Sequence, residues 1–107
     1  MIEITRGTTP TFEFETETRL SLLDEIYIVL RQETGNGHIK VEKTLTKDCV
    51  KTDENHFFVK LSQEETLHLT EGVKVELQLK AKAKSGDVMT TEIATLNVRR
   101  ALKEEVV

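Results

Sequence analysis

The chain has 107 residues, fewer than the roughly 150 usually allotted to a domain, so residues 1–107 are expected to form one domain around one core. Its 15 Lys and Arg against 19 Asp and Glu give a formal charge of −4, which argues against non-specific nucleic-acid binding. Apolar side chains make up 37% and charged ones 32%, and no window approaches the roughly 18 consecutive apolar residues of a membrane span.

The dominant pattern is period two, which places alternate side chains on opposite faces of an extended strand. A first strand is expected over Ile2–Arg6, with Ile2 and Ile4 inward and with Gly7 and Pro10 marking the break after it. The second, Thr11–Thr16, sets Phe12 and Phe14 against Glu13 and Glu15. The third, Glu25–Gln32, carries Ile26, Ile28 and Leu30 on one side and Tyr27 and Val29 on the other, the pattern of a central strand covered on both faces. Thr34-Gly35-Asn36-Gly37 offers positive-φ residues for a hairpin turn, and a fourth strand follows through Ile39 and Val41 toward Leu45. The polar stretch Thr46–Asn55 reads as a loop or a short edge strand. A fifth strand, His56–Leu61, puts Phe57, Val59 and Leu61 on one face.

Ser62 followed by Glu65 fits a capping box that opens a helix, and Glu71-Gly72 ends it within a turn or two. The sixth strand is the clearest element, with Val73, Val75, Leu77, Leu79, Ala81 and Ala83 alternating with polar residues. Ser85-Gly86-Asp87 is a three-residue turn with Gly86 placed for positive φ. The seventh strand, about Val88–Arg100, shifts its inward set from Met89, Thr91 and Ile93 to Ala94, Leu96 and Val98, the signature of a β-bulge. About seven strands with one short helical turn suit an all-β, immunoglobulin-like antiparallel two-sheet sandwich. A small barrel is the structural alternative. On either fold, truncating Phe12 or Leu77 to Ala should cost roughly 2–5 kcal/mol.

Residues with catalytic chemistry are scattered. Cys49 is the one cysteine, so it has no intrachain disulfide partner, and it lies in a polar stretch without a marked base. His38, His56 and His68 fall on a turn, a strand start and the helical turn, without metal-ligand spacing. The neighbouring carboxylates Asp24-Glu25, Glu64-Glu65 and Glu104-Glu105 read as solvated surface charge, with Glu65 engaged in the cap. Residues 1–9 lack the basic and apolar regions of a secretory signal. The expectation is a non-enzyme with no metal, cofactor or small-molecule substrate, acting on neither nucleic acid nor membrane.

What remains is charge on the outside. The second strand points Glu13, Glu15 and by continuation Glu17 outward. The sixth points Lys74, Lys80, Lys82 and Lys84 outward, with Arg99 and Arg100 nearby. In a sandwich these two strands belong to opposite sheets, so one molecule would carry an acidic and a basic face suited to contact with other copies or a larger scaffold. Glu13, Glu15, Lys80, Lys82 and Lys84 are therefore the candidate protein contacts. Rows of exposed Lys and Glu that keep sheets soluble are the alternative reading.

The order of motifs carries a resemblance. Arg6-Gly7-Thr8-Thr9-Pro10-Thr11 leads into Phe12 and Phe14, Leu61-Ser62-Gln63-Glu64-Glu65-Thr66-Leu67 stands in the middle, and Gly72 with Val75-Glu76-Leu77-Gln78-Leu79 follows. Ser85-Gly86-Asp87, Ile93 to Val98 and Leu102 close the series. Together they resemble small prophage-encoded structural proteins of Gram-positive bacteria, and are distantly similar to the N-terminal domain of phage upper baseplate proteins. The resemblance implies a phage virion structural protein, a tail or baseplate component whose partners are other phage structural proteins or copies of itself. It also implies residence in the bacterial cytoplasm during assembly and then in the virion. The alternative of a different class is an immunoglobulin-like ligand-binding module for carbohydrate or a cell-surface polymer, which the absence of Trp and the single Tyr27 disfavour.

Overall fold

The computed structural model describes residues 3–103 and 105–107; Ile2 of the first expected strand and Glu104 of the last carboxylate pair lie outside them. In chain order the strands are β1 (Glu3–Thr5), β2 (Thr11–Glu15), β3 (Leu23–Thr34), β4 (Gly37–Thr44), β5 (Cys49–Asp53), β6 (His56–Lys60), β7 (Val75–Ala83), β8 (Val88–Thr90) and β9 (Ala94–Arg99). Two single-turn helices, α1 (Leu45–Asp48) and α2 (Gln63–Leu67), and a 3-10 turn at Leu20–Leu22 complete the elements. One sheet has six strands in the order β1-β9-β7-β3-β4 with β8 also on β7, and the other has three in the order β2-β6-β5. This is the layout of an immunoglobulin-like sandwich, with the second and sixth expected strands, β2 and β7, in opposite sheets as expected. One pair departs from the antiparallel expectation, because β1 runs parallel to β9, with Ile4 opposite Val98.

Inward-facing residues of both sheets form one buried cluster that includes Phe12, Ile26, Ile28, Leu30, Phe57, Val59, Val75, Leu77, Leu96 and Val98. Phe12 and Leu77 are both buried, so the cost of truncating either stands at about 2–5 kcal/mol, measurable by urea titration. Among the described residues no helix is long and apolar enough to cross a membrane.

Several expectations change in detail. β3 is central, paired with β4 on one side and β7 on the other, but its second face is not covered by another layer. Tyr27 and Val29 are half-buried because they sit in register between Lys80 and Thr44 and between Gln78 and Glu42. The stretch Thr46–Asn55 resolves into the end of α1 and the edge strand β5, which pairs with β6. At the β3–β4 hairpin only Gly37 has positive φ, with Thr34 paired to it, so Gly35 and Asn36 turn without the left-handed conformations that the composition suggested. The Ser85–Asp87 turn is as expected, with Gly86 at φ 99° and Ala83 N–H donating to Asp87 O at 2.8 Å. The seventh expected strand is split. Thr91 still pairs with Leu79, whereas Ala94 pairs with Leu77, so one extra residue is taken up between them. That is the bulge read from the phase shift, but of the expected inward set only Leu96 and Val98 are buried, whereas Met89, Thr91, Ile93 and Ala94 are exposed.

Helix α2 is built as the sequence implies. Ser62 Oγ accepts from Glu65 N–H at 3.1 Å and Glu65 Oε1 accepts from Ser62 N–H at 2.8 Å. It is held in place, in the connection from β6 to β7, by longer-range contacts: Lys43 Nζ meets Glu65 Oε2 at 2.8 Å, and the Thr66 hydroxyl donates to Thr8 O at 2.8 Å.

Candidate functional site

The candidate contact residues fall on two outer faces. Phe12 is buried and Phe14 packs on the core, so alternation turns Glu13 and Glu15 to the outside of the three-stranded sheet. Ala81 and Ala83 pack on the same core from the other side, so Lys80, Lys82 and Lys84 face outward from the six-stranded sheet. All five are exposed, and the two sets lie on opposite sides of the molecule. The basic face is narrower than expected. Lys82 stands in register with Glu25 and Lys80 with Tyr27, while Glu76 stands beside Arg31 and Glu42 beside Val29. The surplus of positive charge is therefore a strip at the β7 end that runs into the Ser85 turn.

On the opposite face Glu15 is in register with His56. His56 Nδ1 lies 2.7 Å from Asp53 Oδ1, and its Nε2 lies 3.9 Å from Glu15 Oε1. The hydrogen bond to Asp53 raises the His56 pKa above its ordinary value, partly offset by desolvation and supported by the charges of Asp53, Glu15 and Glu13. Asp53 is correspondingly lowered, first by the Asn55 backbone N–H and then by His56. A raised histidine favours the fold fully below its unfolded pKa and loses that contribution as pH rises through the folded one. In an NMR titration His56 should show a midpoint above about 6.5, and Asp53→Asn should bring it down. A wild-type midpoint at or below the ordinary value would remove this pair.

The remaining chemistry-bearing residues do not converge. His38 on β4 and His68 at the end of α2 are exposed and separate from His56, and the described residues contain no group of three His, Cys, Asp or Glu placed to hold a metal. Cys49 faces the core side of β5, in register with buried Val59. Burial, and then the charges of Asp48 and Glu25, push its thiol up to about 11. Alkylation by iodoacetamide at pH 7.5 should therefore run roughly 100-fold slower than for a free cysteine and recover in urea. A rate equal to that of a small thiol would contradict this placement.

Three polar side chains carry structural work that composition did not assign. Gln32 is fully buried: its Nε2 donates to Thr70 O and Val73 O at 2.7 and 2.8 Å, and its Oε1 accepts from Thr70 N–H at 2.7 Å. Glu25, expected as free surface charge, accepts from the backbone N–H and hydroxyl of Thr46 and from Ile26 N–H. Burial opposes its ionisation, but these hydrogen bonds hold its pKa below the usual carboxylate value. Lys43 and Glu65 join β4 to α2. The signal for Gln32 was present in the sequence, since it continues the inward series Ile26, Ile28, Leu30.

The two sheets do not close along one side. Between β2 and the β7–β8 hairpin is a cleft of about 310 Å³ whose walls include Phe14, Leu23, Ile26, Leu79, Ala81 and Met89. A second hollow of about 360 Å³, with Leu22, Ala83 and Lys84, continues from it past Thr18 and Met89. No protein-family model matches this chain, and no curated protein does either.

Proposed function

We propose that this chain is a non-enzymatic structural protein of a phage or prophage virion, a tail or baseplate component that acts through protein–protein contacts. The observation that carries the reading is the placement of Glu13 and Glu15 on one outer face and of Lys80, Lys82 and Lys84 on the opposite one. Opposite charge on opposite faces of one slab favours a heterologous contact, in which the acidic face of one unit meets the basic strip of the next or of a larger scaffold. The motif series from Arg6-Gly7 through Ser85-Gly86-Asp87 supports a virion as the setting.

Two measurements test this. Mass spectrometry of particles purified from an induced host should recover the chain with the virion, and its confinement to the particle-free fraction would refute the assignment. Light scattering across a salt series should show association that weakens as ionic strength rises. Glu13→Lys with Glu15→Lys should abolish that association alone and restore it when mixed with Lys80→Glu with Lys82→Glu. Association indifferent to salt would remove the electrostatic contact.

A further inference from the structure

The open side of the sandwich has the features of a strand-accepting site. Pro10 O accepts from Leu61 N–H and Thr16 N–H donates to Asn55 O, so in the β2–β6 ladder the even-numbered residues of β2 bond to β6. The N–H and C=O groups of Thr11, Glu13 and Glu15 then point away from β6, and no described strand pairs with them because β1 has joined β9 instead. Across the cleft, Thr91 N–H donates to Leu79 O and Ala83 N–H to Asp87 O, which leaves the backbone of Val88 and Thr90 on the outer edge of β8. Two unpaired edges thus flank an apolar trough.

Two groups of exposed large apolar side chains stand out among the described residues. Leu22 and Met89 line the trough and the hollow that continues it, and Leu102, Val106 and Val107 lie in the segment after β9; Val88, in register with Lys82, is on the outer face of the sheet. The two groups are at opposite poles. The trough is where β2 and β7 end and β3 and β8 begin, whereas residues 101–107 emerge beside the starts of β2 and β7, where Gln63 exchanges two hydrogen bonds with the Val107 backbone. The twelve residues of β3 span about 40 Å, and seven extended residues reach only about 23 Å. The segment therefore falls short of its own trough but is long enough to lie along β2 of another copy.

We propose that the trough between β2 and β8 receives residues 101–107 of a second copy of this chain as an added strand, joining copies head to tail. Alternation puts Leu102 and Val106 on one face, to enter beside Phe14 and Met89, and Lys103 on the other, beside Glu13 and Glu15. The solvent-exposed bonds to Gln63 are exchanged for ladder bonds. This rests on the reading of the chain as a contact module and deepens it, with the apolar seam rather than the basic strip of β7 as the main contact.

The test uses the full-length chain in sedimentation velocity over a concentration series at low and high salt. The wild type should form dimers and longer species that persist at high salt. Met89→Asp, at the exposed seam, and Val106→Asp, in the donor segment, should each be monomeric with unchanged melting curves, and an equimolar mixture of the two should recover a 1:1 dimer. Glu13→Pro is a second acceptor variant, since it removes only an outward N–H and spares the β6 ladder. A wild type that stays monomeric to millimolar concentration overturns the proposal, as does a mixture that fails to pair. Association that vanishes at high salt and ignores Met89→Asp and Val106→Asp overturns it too, while supporting the charged-face contact. Absence of the chain from virions would refute the virion assignment without touching this result.

Discussion

Gln32→Ala should destabilise the fold by about 3–5 kcal/mol, a large share of the stability of any small domain. The side chain is fully buried at the end of β3 and satisfies three backbone groups of the segment that leads from α2 to β7: Thr70 N–H, Thr70 O and Val73 O. A typical hydrogen bond contributes only about 0.5–1.5 kcal/mol net, because the unfolded chain bonds to water instead. Removing the amide while the backbone stays buried is different, since each stranded group costs about 1–3 kcal/mol and a cavity is added. Gln32→Met keeps the volume and should recover little. Gln32→Glu loses both donors and turns a carboxylate toward two carbonyls, so its penalty should shrink at acid pH, where protonation returns one donor. Urea titration with amide exchange at Thr70 checks the series. A loss under 1 kcal/mol for Gln32→Ala would mean that this loop is not held from β3.

The same residue shows where the sequence was readable and where it was not. Alternation located the strands because the inner faces of β2, β3, β6 and β7 are filled by Phe, Ile, Val, Leu and Ala against polar partners, and it also gave the outward placement of Glu13, Glu15, Lys80, Lys82 and Lys84. The capping box at Ser62 and the bulge after Thr91 were likewise local signals. Helix α1 and the Leu20–Leu22 turn left no pattern, since a single turn is shorter than the helical period needs. β5 was half-hidden because an edge strand with Val50, Lys51 and Thr52 exposed has little reason to alternate. The roles of Glu25 and Lys43 depend on contacts with Thr46 and Glu65, about twenty residues away, which composition does not encode. The apolar trough was invisible for a topological reason. It exists because the first strand pairs with β9 and leaves the edge of β2 open, and nothing in residues 3–5 announces that choice of partner.

Phe57→Ala and Phe14→Ala should differ sharply, although the two rings touch, with centroids 5.2 Å apart and planes tilted by 31°. Phe57 is fully buried on β6, the strand between β2 and β5, so its truncation opens a closed cavity and should cost about 3–5 kcal/mol. Phe14 is half-buried and forms a wall of the trough. The space left by its ring opens to solvent, so only part of its transfer free energy is lost, about 1–2 kcal/mol. The double variant should fall short of additivity by about 0.5–1.5 kcal/mol, the aromatic contact being lost once and not twice. Urea titrations at low protein concentration, where the chain is monomeric, measure all three. If Phe14→Ala costs as much as Phe57→Ala under those conditions, the side of the sandwich between β2 and β8 is already closed in the monomer, and no added strand is needed to cover it. If the Phe14 cost is small in dilute solution and grows with protein concentration, the ring is being buried by association at that edge.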